Sequence, residues 1–344
     1  MTDAKSTVDY VIRPYDDADE RKVIELLDAT LGAGPIGERT SEFFHWKHIA
    51  NPFGRSYMLV ALSGSRIIGL RAFLRWSFQA GSRTLHAVQA VDTATHPEHQ
   101  GKGVFRRLTL SALEVLGEEA DFVFNTPNEH SLPGYLKMGW EVVGTIPVSV
   151  RVHRPLKFAK RITSFRDVAG SAADVTVEAS AAMDVINSSS DVPDLLAEMS
   201  AGRDDRISTD RSLEYLRWRY CAAPALDYRA VREPTAGPLL GLGVFRVRTR
   251  GALVESTVAD LLVRPGDRRT ARKLLRSIAA AAPVDHMTCH FPPGSAASSA
   301  AARSGFIRTR RGILLTVNKL RPRILPDPAS LSSWALSLGD VEVF

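Results

Sequence analysis

Cysteine is nearly missing: the chain of 344 residues has two, Cys221 and Cys289. That excludes a disulfide framework and a cysteine-based metal cluster, and it fits a reducing compartment. Long apolar runs are missing too; no stretch approaches the roughly 20 residues a membrane-spanning helix needs, so no membrane partner is expected. The opening residues "MTDAKSTVDY" lack the apolar core of a secretory signal, which points to a cytoplasmic location. Aromatics, 8% of the chain, do not interleave with the basic runs "DRRTARKLLR" and "RTRRG". Single-stranded nucleic acid is bound by such interleaving, so nucleic acid is not the expected partner. What is present is a globular composition, 44% hydrophobic and 24% charged, with a net charge of +6 that suits a small polyanion.

The chain is long enough for two domains, and it repeats itself. Trp46-Lys47 is followed by Pro52, and Trp218-Arg219 by Pro224, an offset of 172 residues in both cases. The same offset carries "IIGLRAF" (67–73) onto "LLGLGVF" (239–245). It drifts to 168 where Thr95-His96-Pro97 meets Val263-Arg264-Pro265, and to 166 where Gly139-Trp140 meets Gly305-Phe306. Such drift is what loop insertions and deletions produce, and a collinear series of matches indicates two copies of one fold.

Each copy has one order of elements. In the first, "DYVIRPY" reads as a strand and "DADERKVIELLDATL" as an amphipathic helix with an acidic start. "FFHWKHIA" is a short helix, and "SYMLVAL" and "RIIGLRAFLRWSF" are strands joined by a turn at "SGS". A long strand over 85–95 precedes a helix over 103–117; "DFVFNTP", a short helix in "SLPGYLKMG" and the final strands of "WEVVGTIPVSVRV" follow. The expected class is α/β with a mixed sheet. The expected divisions are a first domain over 8–154, a linker and entry to the second copy over 155–205, a second domain over 206–320 and a tail over 321–344 that recrosses the surface.

Between strand and helix lies "THPEHQGKGVFRRL" (95–108), a basic loop with two glycines at the mouth of a helix. Backbone N–H groups exposed by glycine, together with the partial positive charge of a helix N-terminus, form an anion site. His96 and His99 sit three apart without a third ligand, and Pro97 already accounts for the turn, so no metal is expected.

The order of elements and this loop resemble the GNAT superfamily of acyl-CoA-dependent N-acyltransferases. The family pattern Q/R-x-x-G-x-G/A is met by Gln100, Gly101, Lys102, Gly103, Val104 and Phe105, except that Phe105 stands where a small residue is usual. Asn128 seven residues before Tyr135, with Gly139-Trp140 shortly after, meets a second family element. The resemblance covers residues 8–153 well and 205–320 as a fold. Its tandem arrangement is similar to acyltransferases of polysaccharide or secondary-metabolite gene clusters and to the first two domains of Eis-type aminoglycoside acetyltransferases.

The resemblance implies an acyl-CoA donor, acetyl-CoA most simply, and an amine acceptor such as an amino sugar or amine metabolite, joined by direct transfer in a ternary complex. The strand around Thr93, Ala94 and Thr95 would bind the pantetheine arm and polarise the thioester, and the amides from His99 to Phe105 would wrap the pyrophosphate. Tyr135 is the candidate general acid for the leaving thiolate; the other reading is a packed aromatic with a hydrogen-bonded hydroxyl. Asn128 orders the donor channel or caps the turn before "EHS". Asp92 is the candidate base, with Glu129 and His130 nearby in sequence, and the acidic end "GDVEVF" (339–344) is a further candidate to reach the site. A water chain would need no base at all.

The second copy lacks these groups: Gly101 aligns with Arg269, Gly103 with Ala271, Asn128 with Gly294 and Tyr135 with Ala301. An arginine blocks the close backbone approach that glycine permits, so a single donor site in the first copy and a degenerate second copy are expected. Two other functions fit the same pattern. One is a Fem-like transferase using aminoacyl-tRNA, the other a non-catalytic acyl-CoA-binding protein. A homodimer is compatible with either reading.

Overall fold

Both repeats fold into the expected order of strands and helices, described over residues 10–32, 39–161 and 171–341 of a computed structural model. The first repeat runs β1 (Val11–Pro14), α1 (Glu20–Leu31), α2 (Ser41–His48), β2 (Tyr57–Ser63), β3 (Arg66–Ala80), β4 (Arg83–Thr95), α3 (Val104–Glu119), β5 (Phe122–Asn125), α4 (Leu132–Leu136) and β6 (Glu141–Val152). Next come α5 (Pro155–Arg161), β7 (Ser171–Ala172), β8 (Ser180–Ala181), α6 (Ala182–Ser188), α7 (Val192–Ala201), β9 (Ser208–Thr209) and α8 (Leu213–Leu216). The second repeat continues with β10 (Tyr228–Glu233), β11 (Gly241–Arg250), β12 (Leu253–Val263), α9 (Arg268–Ala280), β13 (His286–Cys289), α10 (Ala296–Arg303) and β14 (Ile307–Lys319), and the tail ends in α11 (Leu338–Val341).

Periodicity explains the helices. Val23, Leu26 and Leu27 put one face of α1 into the core, and Leu108, Ala112 and Leu116 do so for α3. Helix α3 approaches the sheet closely because residue 69 is a glycine; a Cβ there would lie 2.7 Å from Val104 Cγ1. The second repeat uses the same device: a Cβ on Gly241 would lie 2.7 Å from Thr270 Cγ2 of α9.

The strands form one 14-stranded sheet in the order β1-β2-β3-β4-β5-β14-β6-β13-β12-β11-β10-β8, with β7 and β9 paired off this path to β11 and β3. The centre of that order is an exchange. β5 of the first repeat pairs with β14 of the second, β13 pairs with β6 of the first, and β6 and β14 pair antiparallel with each other. Each repeat's last strand therefore completes the other repeat's sheet. A reciprocal contact marks the same internal two-fold relation: Trp46 Nε1 donates to Trp218 O at 2.7 Å and Trp218 Nε1 to Trp46 O at 2.9 Å. The two rings stack with centroids 5.2 Å apart.

The largest apolar core joins Trp46, Trp76, Phe78, Phe122 and Phe124 to Tyr215, Trp218, Leu242 and Trp334 across both repeats. Two expectations change here. The segment expected as a linker is folded in its later part: Val185, Ile186, Val192, Leu195 and Leu196 of α6 and α7 are buried in this shared core. The tail is not a surface strap either. Trp334 packs edge-on against Phe78 and Phe122 at 5.4 and 5.6 Å, and Leu336, Leu338 and Val341 are buried. No helix among the described residues is long and apolar enough to cross a membrane.

Candidate active site

Strand β4 carries the site. It runs parallel to β5 over Ala87 to Gln89, and then continues alone on that side from Ala90 to Thr95. From Ala90 on, the backbone groups of that edge of β4 meet no strand partner among the described residues. On its other edge β4 pairs with β3, and the register shifts: Leu70 faces Ala94 and Ala72 faces Val91, leaving Asp92 and Thr93 opposite Arg71. This is a β-bulge, with Asp92 at φ +38°, a backbone conformation that side chains other than glycine rarely adopt. The bulge sends neighbouring side chains to opposite faces, Thr93 toward α3 and α4 and Asp92 toward α2.

On the α3/α4 face, the loop leaves β4 through His96, which bonds back to Ile68 O, and turns at Pro97–His99. Gln100 Nε2 donates to Thr95 O at 3.1 Å, so Gln100 ties the loop to the strand. Gly101 and Gly103 have φ of +72° and +79°, and open space surrounds the place a Cβ would take on either. The N–H groups of Gly101, Lys102 and Gly103 meet no acceptor among the described residues. They lie at the start of the 16-residue α3. Lys102 is exposed, whereas Val104 turns its side chain into the core. The loop is thus the open, donor-rich mouth that an anion requires.

Tyr135 is buried beneath this mouth, where Arg71 Nη1 donates to its hydroxyl oxygen at 2.9 Å. The same nitrogen donates to Thr93 Oγ1. Arg71 is fully buried in an aromatic cage, its guanidinium 4.4 Å from the Phe73 ring centre, 5.3 Å from Tyr135 and 5.6 Å from Phe105. Its Nε and Nη2 have no hydrogen-bond partner among the described residues. Because the cation donates to the phenol oxygen, the hydroxyl's own proton is left to point elsewhere. Phe105 stands against Tyr135 edge-on at 5.5 Å and touches Gly134, where a Cβ would come within 3.1 Å of its ring. It packs between α3 and α4 as part of the cage.

Asn128 is exposed, and its Oδ1 accepts from His130 N and Ser131 N at 3.1 and 2.9 Å, the capping alternative for that residue. Glu129 and His130 are exposed in the same turn.

On the α2 face, Asp92 sits among cations. Its Oδ2 lies 2.6 Å from Lys47 Nζ and 2.9 Å from His48 Nε2, and its Oδ1 3.8 Å from Arg39 Nη1. His48 Nδ1 in turn meets Ser56 Oγ at 2.9 Å. Burial alone would raise the Asp92 carboxyl, but Lys47 and His48 outweigh it and hold the group well below the usual carboxylate range. Burial lowers His48, with Asp92 only partly opposing it. A carboxylate so stabilised is a poor proton acceptor, which weighs against the base role expected of Asp92.

In the acidic end, Asp340 pairs with Arg211 in the second repeat, away from Tyr135, and residues 342–344 lie outside the described residues. His96 and His99 do gather with Glu98, the three ligand groups lying within 4.8 Å of one another. Arg66 occupies the same spot, however, its Nη2 2.6 Å from His96 Nε2 and its Nη1 3.3 Å from Glu98. A guanidinium there repels a cation.

Sequence reasoning passed over Arg71, Arg39, Lys47 and His48. For Arg71 a signal was present: an arginine inside the apolar strand "IIGLRAF", at the place where the second repeat has Gly243.

A model of the acetyltransferase (GNAT) domain family matches residues 11–143, which hold this loop, the bulge and Tyr135. No curated protein matches the chain. Among solved structures, a GCN5-related N-acetyltransferase from Kribbella flavida superposes with a TM-score of 0.58 at 15% identity, covering 95% of this chain and 74% of that one. Another from Anabaena variabilis gives 0.61 at 11% identity, covering 91% and 73%. Eis1 from Mycobacterium abscessus gives 0.53 at 14%, covering 91% and 74%. At such identities the superpositions speak for the fold, which they extend over both repeats. The family model identifies residues 11–143 as a GNAT domain, and the superpositions show that the fold of these acetyltransferase structures extends over both repeats.

Proposed function

We propose that the chain is an acyl-CoA-dependent N-acyltransferase, most simply an acetyltransferase, acting on a primary amine of a small molecule. The observation that carries this reading is the alignment of three features on one face: the free N–H groups of Gly101 to Gly103, the open edge of β4, and the hydroxyl of Tyr135. The pyrophosphate of coenzyme A would take the loop amides, and the β4 edge from Ala90 to Thr95 would hold the pantetheine arm and polarise the thioester carbonyl.

The amine nitrogen attacks that carbonyl, the new C–N bond forms and the C–S bond breaks. Tyr135 gives its proton to the departing thiolate, and Arg71 stabilises the resulting phenolate through the bond it already makes. The proton lost by the amine passes to water. Asp92 serves as a fixed charge at the acceptor side of β4. The second repeat supplies β14 and part of the shared core, and its counterpart of the loop carries Arg269 and Ala271 in place of glycines. We assign it no donor.

The test is acyl-CoA-dependent thiol release with a panel of amines, together with calorimetry against acetyl-, malonyl- and longer acyl-CoA. Micromolar binding and amine-dependent release are expected. The absence of heat with every thioester would remove the reading.

One feature favours a second function. Between α9 and α10 a groove of about 430 Å³ is lined by Arg268, Arg269, Arg272, Lys273, Arg276 and Arg303. An aminoacyl-tRNA donor would use such a surface, and tRNA retention that weakens steeply with salt would support it over acyl-CoA.

A further inference from the structure

The charged side of β4 has a duplicate in the second repeat, and the duplicate is occupied. The 172-residue offset that carries Trp46 to Trp218 also carries Arg39 to Arg211, Lys47 to Arg219 and His48 to Tyr220. The 168-residue offset at the strand ends carries Asp92 to Asp260. The contacts follow the alignment. Tyr220 Oη donates to Asp260 Oδ2 at 2.5 Å and Arg211 Nη2 lies 3.0 Å from Asp260 Oδ1, as His48 and Arg39 address Asp92. Asp260 also stands beside a bulge: Val244 faces Asp260 and Phe245 faces Val258, so Ala259 is the extra residue.

What fills the second site is the chain's own C-terminal turn. Arg211 Nη2 lies 2.9 and 2.7 Å from the two oxygens of Asp340 and 3.1 Å from Ser337 Oγ. Arg219 Nε donates to Gly339 O at 3.0 Å. The fit is close enough that a Cβ on Gly339 would lie 2.1 Å from Tyr220 Oη and 3.0 Å from Asp260 Oδ2. A main-chain turn bearing a carboxylate thus sits on Arg211, Arg219, Tyr220 and Asp260.

Among the described residues, the first repeat has the receptor and no counterpart of that carboxylate. The Arg39 side chain is 16% exposed, close to the 12% of Arg211. Yet the nearest carboxylates among the described residues, Asp92 and Asp28, are 3.8 and 3.9 Å away, and its buried Nε has no hydrogen-bond partner among them. A largely buried guanidinium without a close partner is unfavourable, and a ligand carboxylate would relieve it.

We propose that the acceptor binds the first repeat as the C-terminal turn binds the second, so that it is an amine carrying a carboxylate, of amino-acid or acidic-peptide type. Its carboxylate pairs with Arg39 and its adjacent carbonyl with Lys47. This rests on the acyl-transfer reading above and narrows its acceptor. A neutral amino sugar would leave Arg39 with its long pairs to Asp92 and Asp28 alone; an amino sugar bearing a carboxylate would add a close one.

The test compares amines in matched pairs, each amino acid or acidic dipeptide beside its carboxamide, with acetyl-CoA as donor. The carboxylates are expected to show kcat/KM about 10- to 100-fold above their amides, the range of one lost charge-assisted contact. Arg39→Gln should remove that preference while leaving acetyl-CoA affinity and the melting temperature near those of the parent chain. Equal turnover of acids and amides overturns this inference and leaves the transferase reading standing. Failure of every thioester to bind overturns the transferase reading itself. Should thioesters bind and no amine turn over, calorimetric titration of the same pairs onto the CoA-loaded protein decides. Carboxylates binding no tighter than amides then overturn the inference.

Discussion

Tyr135→Phe removes a single oxygen and leaves the ring in place, so the structure yields separate expectations for stability and for catalysis. The ring contacts to Phe105 at 5.5 Å and Trp140 at 5.1 Å persist, and no cavity opens. The bond lost is the one from Arg71 Nη1 at 2.9 Å, a nitrogen that keeps Thr93 as acceptor. One hydrogen bond to a charged group is worth about 1.5–3 kcal/mol, and the retained acceptor puts this variant near the lower end. Catalytically, a general acid contributes about 10²- to 10⁴-fold, which corresponds to about 2.7–5.4 kcal/mol of barrier. Steady-state thiol release should therefore show kcat down by at least about 100-fold, with acetyl-CoA affinity by calorimetry unchanged within about threefold. If kcat stays within about twofold of the parent value while the melting temperature drops, the hydroxyl is structural and the acid assignment is wrong.

Three further outcomes follow from particular contacts. Gly103→Ala introduces a Cβ into open space at φ +79°, so its fold penalty is left-handed strain of about 1–2 kcal/mol; acetyl-CoA affinity should fall at least about tenfold if the pyrophosphate lies against the loop as proposed, because the methyl would enter its path. Unchanged affinity by calorimetry would move the donor away from the loop. Residues 1–154 expressed alone lack β14, and both β5 and β6 then present unpaired edges. Aggregation is expected, with solubility and acyl-CoA binding regained on co-expression of 155–344; a soluble, folded monomer of the first repeat alone would contradict the exchange.

The last outcome concerns acid. Burial lowers His48, and Lys47 and His48 hold Asp92 low against its burial. Both groups resist protonation in the folded protein, so the unfolded chain takes up more protons as pH falls. The associated stability is present above the unfolded histidine value of about 6.5 and declines below it, with the Asp92 share lost below about 4. Melting temperatures from pH 8 to pH 5 should fall, and less steeply in His48→Gln; identical slopes would show that this cluster is not the source.

The sequence by itself determined a good deal. Apolar periodicity placed α1, α3 and the long strands, and the 172-residue recurrence of tryptophan, proline and the "IIGLRAF" pattern established two related copies. The glycine pair of the loop was legible because φ values of +72° and +79° are hostile to other residues, so local backbone chemistry writes itself into the residue type. Tyr135 was singled out only through the family resemblance, by its spacing from Asn128. Only the tertiary structure decided the rest. Whether β6 pairs with β5 or with β13 depends on which edge is nearest in space, and the same alternating residues satisfy either partner. The grouping of Arg39, Lys47 and His48 around Asp92 joins residues 44 to 53 positions apart through a bulge that no local pattern announces. The tail's burial likewise follows from a cleft formed only once both repeats are packed. Backbone preference is local and can be read along the chain, whereas charge pairing and strand exchange are contacts between distant segments, selected by the packed whole.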